Sequence, residues 1–294
     1  YKSGINIMFG CDNYCTYCIV PYVRGHERSR QPGDIIRECE KLAADGVVEV
    51  MLLGQNVDSY GTTLDNQVTF AELLREIDKN EGLNRIRFMT PHPKDISEDI
   101  VEAIRDSDKI CNHIHFPLQS GSTRLLKLMN RKYTKERYLE QVEMIRRILP
   151  DVSITTDIIV GFPGETEEDF LDTVDVVRKA KFDSAYTFIY SKRTGTPAAK
   201  MDNQVPEDVV KDRFNRLLEV VNEVSHEHIK RYEGKDMDVL VEGIDDHEEG
   251  YVTGRMTNNI LVHFKADESL IGKIVTVHLD ECKGFYYMGR LIED

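Results

Sequence analysis

Basic residues are in short supply in this sequence: 38 Lys and Arg stand against 52 Asp and Glu, a formal net charge of −14, which opposes non-specific binding to nucleic acid. Cysteine is scarce as well. The six cysteines form a tight triad plus isolated Cys39, Cys111 and Cys282, which is no disulfide framework for a chain of 294 residues and points to a reducing compartment. No apolar run approaches the ~20 residues that cross a bilayer. The opening YKSGINIMFGC lacks the basic-then-apolar pattern of a secretory signal, so a cytoplasmic protein without a membrane partner is expected. Internal repeats and low-complexity segments are absent too. What is present is ordinary globular composition, 40% apolar and 31% charged, enough for one large domain and a small one.

Apolar runs of strand length recur at residues 5–9, 48–53, 85–89, 113–116, 154–160 and 184–190, and amphipathic helical patterns separate most of them. DIIRECEKLAADG ends on Gly46, a helix stop signal, and FAELLREIDKN, DISEDIVEAIRD, YLEQVEMIRRIL and EEDFLDTVDVVRKA follow the same rule. This rhythm predicts an α/β fold, an open six-stranded (β/α) partial barrel, with a long connecting helix from Val205 onward. After Gly234 the pattern changes to five short alternating strands with glycine-bearing turns, the signature of a small antiparallel β-barrel. The expected domains are therefore 1–229 and 230–294.

Three cysteines fall within eight residues, CDNYCTYC, directly after the first strand. Zinc would need His26 or another residue as a fourth ligand. A redox pair would employ Cys15 and Cys18 and leave Cys11 idle. An iron–sulfur cubane held by three thiolates keeps one iron open to a further ligand, and a loop after a barrel strand puts it at the C-terminal mouth, where barrel enzymes work.

The C-x3-C-x2-C spacing, with Tyr17 before the last cysteine, resembles the signature of the radical S-adenosylmethionine (SAM) enzymes. CTYCIVPYVRGHERSR, LLGQNVDSYG, HFPLQSGS, MNRKYT, DIIVGFPGETEEDF and FIYSKRTGTPAA extend the resemblance to the methylthiotransferases, on the branch that acts on tRNA, and the C-terminal barrel is similar to their TRAM domain. The resemblance implies a 4Fe-4S cluster on Cys11, Cys15 and Cys18, SAM on its open iron, and Tyr17 near the adenine. It also implies methylthiolation of carbon 2 of an isopentenyl-adenosine beside the anticodon. The partners would be a tRNA anticodon stem-loop and an electron donor such as a flavodoxin or ferredoxin, with the protein a monomer.

Other candidates lie at strand ends. Gln55, Gln119 and Ser120 suit the polar groups of SAM, with loop or helix capping as the structural alternative. Asp157 needs a polar pocket or an Arg partner, and GFPGET brings Phe162 and its flanking glycines toward the adenine, with Thr166 and Asp169 as a helix cap. Arg24, Arg28, Arg30 and Arg193 suit phosphate at the mouth, and Arg255 offers a basic point on the small barrel. His92, His113 and His115 read as hydrogen-bonded strand-end residues, Cys39 as core, and no general acid or base is assigned.

Two features sit awkwardly with this reading. The family carries an N-terminal domain whose cysteines hold a second 4Fe-4S cluster, and with ten residues before Cys11 that domain is expected to be missing from this chain. From Lys230 onward eight basic residues face fourteen acidic ones, which better suits a basic protein target. That is the substrate class of the sister enzymes that methylthiolate an aspartate of a ribosomal protein. GQNV and KRTGT favour the tRNA branch. A non-catalytic, metal-stabilised RNA-binding module is the third reading.

Overall fold

The computed structural model describes residues 1–292. Six parallel strands lie side by side in chain order: β1 (Lys2–Asn6), β2 (Glu49–Leu53), β3 (Arg85–Phe88), β4 (His113–His115), β5 (Ser153–Val160) and β6 (Ser184–Ile189). They form two three-stranded halves, joined where the Ile86 N–H donates to the Lys109 carbonyl and its carbonyl accepts the Cys111 N–H, both at 2.9 Å. Among the described residues β6 does not pair with β1, so the barrel is open along that side. Tyr186 and Phe188 of β6 are accordingly about half exposed there.

β1 starts and ends earlier than the expected 5–9. Ile7 and Met8 are both buried, which breaks strand alternation, and Met8–Phe9 leaves the sheet to pair with Arg28–Ser29.

Around the strands lie α1 (Val20–Arg24), α2 (Pro32–Ala44), α3 (Phe70–Asp78), α4 (Glu98–Arg105), α5 (Thr123–Leu128), α6 (Lys135–Ile148) and α7 (Glu167–Ala180). α1 and α2 open with a proline in the first turn, and the other five starts are set by side chains that satisfy free backbone N–H groups. Ser97, Ser122 and Thr134 cap α4, α5 and α6, while Thr69 with Glu72 and Thr166 with Asp169 form reciprocal capping boxes on α3 and α7. α1 and α5 are too short to show a helical period, which is why the sequence pattern does not announce them. The main core runs through the barrel wall, where the Tyr138 ring stacks on Phe116 at 4.8 Å and its hydroxyl donates to the Phe116 carbonyl.

Helix α8 (Glu207–Ile229) leads into a closed five-stranded barrel of β7 (Asp236–Ile244), β8 (Tyr251–Met256), β9 (Leu261–Lys265), β10 (Ile274–Cys282) and β11 (Tyr286–Leu291). Four of its pairs are antiparallel and the fifth, β9 with β11, is parallel, so the expected antiparallel barrel closes through one parallel seam.

The small barrel docks on the N-terminal ends of the large one's strands. Arg85 donates to the carbonyls of Arg255 and Asp238 at 2.7 and 2.8 Å, and Arg87 to those of Thr257 and Met256 at 2.9 and 2.7 Å. Arg87 also holds Glu49 at 3.0 Å, both side chains being almost wholly buried. The small barrel therefore closes the end of the large one opposite the cysteine loop.

Candidate active site

The cysteine loop leaves β1 through Gly10, whose φ of +75° suits glycine and where a Cβ would lie 2.0 Å from the His26 carbonyl oxygen. Its path is tied down at several points. The Cys11 N–H donates to the Gly25 carbonyl, the Cys18 N–H to that of Cys15, and the Thr16 N–H and hydroxyl to the carbonyls of Met129 and Leu128 at the end of α5. Cys11 and Cys15 are buried and Cys18 is partly so. Burial raises the thiol pKa of Cys11 and of Cys18, and the Cys15 sulfur nearby adds to both shifts.

Among the described residues no three His, Cys, Asp or Glu side chains already stand in metal-ion geometry. The loop gathers three thiols without bringing them to one point. Among the described residues no fourth side chain completes the set: the largely exposed His26 ring donates to the Asp12 carboxylate at 2.7 Å. One cation is placed against the sulfurs, since buried Arg131 directs Nη1 to the Cys15 sulfur at 3.4 Å while its other nitrogens reach the Tyr133 hydroxyl and the Pro117 carbonyl. Three thiols, a compensating guanidinium and no fourth side-chain ligand fit a cluster bound by three corners better than a closed zinc site.

Beside this loop lies a cavity of about 280 Å³ lined by Tyr17, Gln119, Asp157, Ile159, Phe188, Ile189, Tyr190, Ser191 and Arg193. Four residues read from the sequence, Tyr17, Gln119, Asp157 and Arg193, come together here from the cysteine loop, the segment after β4, mid-β5 and the segment after β6. Gln119 takes a left-handed φ of +68°, fixed by its N–H to the Asp157 carbonyl and its carbonyl to the Ile159 N–H. Asp157 Oδ2 faces His115 Nε2 at 3.3 Å, and the other nitrogen of His115 meets the Thr155 hydroxyl, which His113 also bonds. Burial depresses the His113 pKa to about 3, so its ring is neutral and serves as a positioning group inside the barrel.

The remaining sequence candidates fall elsewhere. Gln55 is exposed and outside the cavity. Ser120 is buried and spent on structure, accepting the Ser122 N–H and sharing a hydrogen bond with Thr173, because the turn into α5 packs against α7. Phe162 is fully buried one layer beneath, edge-on to Tyr190 at 5.6 Å, so it props the cavity wall rather than lining it. Arg24 and Arg28 are exposed and, among the described residues, without a carboxylate partner. Arg30 is tied to Glu38 and the Asn6 carbonyl. Arg255 lies at the far end, paired with Glu242 and the Asn259 carbonyl at the interdomain seam, away from the mouth.

Sequence reasoning gave no role to Arg131, although MNRKYT contains it, nor to Ile159, Tyr190 and Ser191; strand register decides which of the latter face inward.

Residues 5–177 match the model of the Radical SAM superfamily, and residues 230–292 that of the TRAM domain. The chain is 64% identical over 294 residues to a protein of Lachnoclostridium phytofermentans named tRNA-2-methylthio-N(6)-dimethylallyladenosine synthase, covering 100% of this chain and 64% of that one. It is 56% identical over 293 residues to a protein of the same name from Alkaliphilus oremlandii, covering 100% of this chain and 62% of that one. The chain thus spans less than two thirds of the length of these relatives. Among solved structures, coproporphyrinogen III oxidase from Escherichia coli, titled a radical SAM enzyme, aligns with a TM-score of 0.58 at 17% identity over 99% of this chain and 72% of its own. The radical SAM methyltransferase TsrM of Kitasatospora setae aligns with a TM-score of 0.55 at 20% identity over 67% and 38%. At such identities these two show a shared fold and no more.

Proposed function

This chain belongs to the radical SAM superfamily, and from that premise we propose that it serves a tRNA methylthiotransferase of the MiaB type, which places a methylthio group on carbon 2 of an isopentenyl-adenosine beside the anticodon. The observation that carries the reading is the convergence of Tyr17, Gln119, Asp157 and Arg193 on one cavity next to a three-thiol loop.

Cys11, Cys15 and Cys18 would hold a 4Fe-4S cluster, which would supply an open iron for SAM and the electron for its reductive cleavage. The chain's own residues do the rest. Arg131, itself buried, offsets thiolate charge at Cys15, where an uncompensated buried anion is costly. Tyr17, Ile159, Phe188 and Tyr190 offer flat apolar surface to an adenine, and Gln119, Ser191 and Asp157 offer hydrogen-bonding groups to ribose or ammonium. Arg193 at the rim suits a carboxylate or phosphate, which favours a nucleic-acid substrate over the basic protein target that the acidic small barrel suggests.

Cys39, Cys111 and Cys282 are buried away from the cysteine loop. A second cluster to furnish sulfur therefore needs ligands from other residues. No helix among those described is long and apolar enough to cross a membrane. We place the protein in the cytoplasm, as a monomer, reduced by a flavodoxin or ferredoxin.

The test is anaerobic reconstitution with iron and sulfide, then SAM and a strong reductant, with 5′-deoxyadenosine and bound metal measured together. Product with about four irons per chain supports the reading, and Cys15→Ala abolishes both. Zinc in place of iron and no product would leave a metal-stabilised binding module.

A further inference from the structure

Helix α1 and the cysteine loop expose three large apolar side chains side by side in the chain's path: Tyr14, Tyr22 and Val23, at 40%, 54% and 66% exposure. The two tyrosine rings meet edge to face, 6.1 Å between centroids at 85°, so ring faces remain turned to solvent. Neither hydroxyl has a hydrogen-bond partner among the described residues. Each ring keeps about half of its surface in solvent, yet the backbone is held in an uncommon conformation at one of them. Tyr14 sits at φ +47°, a left-handed conformation that costs a non-glycine residue about 1 to 2 kcal/mol. It is held there by Asn130 Nδ2, which donates to the Tyr14 and Asn13 carbonyls at 2.9 and 3.1 Å, while Lys94 grips the Asn13 side chain at 2.6 Å.

Cationic charge lies beside the rings. In a chain of net charge −14, Arg24 and Arg28 stand exposed within a few residues of Tyr22 and find no carboxylate. An apolar protein partner would call for burial of the rings without free guanidinium groups next to them. Exposed aromatic faces combined with unpaired cations match what unpaired nucleotides offer: a flat base to stack and a phosphate on either side. A duplex keeps its bases stacked on one another and offers only the phosphates.

We propose that Tyr14 and Tyr22 form a stacking platform for unpaired RNA bases beside the reaction cavity, with Arg24 and Arg28 taking the adjoining phosphates, so that the protein selects an RNA loop over a duplex. This rests on the nucleic-acid reading above and adds which groups grip the RNA and which RNA conformation they require. Tyr14 lies three residues before Tyr17, a residue of the cavity lining, on the same loop.

The experiment measures affinity by fluorescence anisotropy for a labelled hairpin RNA with an unpaired loop and for a duplex of the same sequence, using the whole protein at several salt concentrations. Tyr22→Ala weakens hairpin binding about 5- to 150-fold, the range that follows from stacking worth about 1 to 3 kcal/mol per base, and leaves duplex binding as it was. Tyr22→Phe keeps the ring and holds wild-type affinity within about twofold, since stacking needs no hydroxyl. Arg24→Ala lowers the slope of log affinity against log salt by about one for both RNAs. Equal loss on hairpin and duplex, or no loss from Tyr22→Ala, overturns the platform. So does dissociation of a protein oligomer in that variant, which would assign the rings to a protein interface. If wild-type protein cleaves SAM but binds neither RNA, the nucleic-acid reading fails, and the platform with it. Hairpin binding that ignores Tyr22 sinks the platform alone.

Discussion

Replacing Arg87 by methionine is the sharpest test of how the two barrels are held together. The guanidinium makes three contacts: Glu49 Oε2 at 3.0 Å and the carbonyls of Thr257 and Met256 at 2.9 and 2.7 Å. Removing it strands a carboxylate that is 1% exposed, with only Lys2 left at 3.2 Å. Breaking a buried pair from one side costs about 3 to 5 kcal/mol. The Thr257 carbonyl, left without this donor, adds about 1 kcal/mol or more, whereas that of Met256 keeps the Asn259 N–H. The expected loss is about 5 kcal/mol, a large part of a domain's stability. Arg85→Met is the control, because Arg85 also donates twice to small-barrel carbonyls but strands no carboxylate, and its loss should be about 1 to 3 kcal/mol. Adding Glu49→Leu to Arg87→Met removes the stranded charge and should restore about 2 kcal/mol, a coupling that denaturant unfolding of the four proteins resolves. Equal losses at Arg85 and Arg87, or a double variant no better than Arg87→Met, would refute the argument from stranded charge.

Gly10→Ala should cost at least about 2 kcal/mol and abolish iron uptake, because the new methyl meets backbone carbonyls that cannot give way; iron loading and the thermal midpoint report both. Buried histidines should make the fold sensitive to acid well above the carboxylate range. Burial lowers His92, His113 and His228 to about 2, 3 and 3 from 6.5, so below about pH 6.5 the unfolded chain takes up protons that the folded one refuses. Glu165, pushed up to about 7 by burial, works in the opposite sense between about pH 7 and 4.5, and Asp58 and Asp183, likewise raised by burial, do so above the usual Asp range. With each group worth at most about 1.4 kcal/mol per pH unit, these carboxyls offset part of the histidine loss from pH 6 to pH 5, and His228→Gln should lessen the acid loss by up to about 1.4 kcal/mol over that unit; the same pH dependence of the unfolding free energy in protein and variant contradicts it. Ser120→Ala should cost about 1 kcal/mol and leave SAM affinity alone. Gln119→Ala should weaken SAM binding about 5- to 10-fold with the fold unchanged, as equilibrium binding and thermal melts would show.

The six barrel strands and most of the helices were legible because burial on both faces of a parallel strand leaves continuous apolar runs, and because amphipathic helices and their caps leave periodic ones. The cysteine loop was legible because its three cysteines are close in sequence. The cavity was less so. Tyr17, Gln119, Asp157 and Arg193 come from four separate segments, and strand position brought them together, while the neighbouring Ser120 was turned into the α5–α7 contact and Phe162 into the layer below. Adjacent residues at a strand end point in different directions, and a motif quoted as a block hides that.

The sequence by itself determined the alternating α/β order, the small β-barrel after Gly234 and the placing of three thiols on one loop, since each is written in local spacing and pattern. Only the tertiary structure decided which side chains share the cavity, that Arg131 reaches the Cys15 sulfur across more than a hundred residues of chain, and that Arg255 faces the interdomain seam instead of the mouth. Those outcomes depend on strand register and on how the two barrels dock, contacts between segments far apart in sequence that carry no local signature.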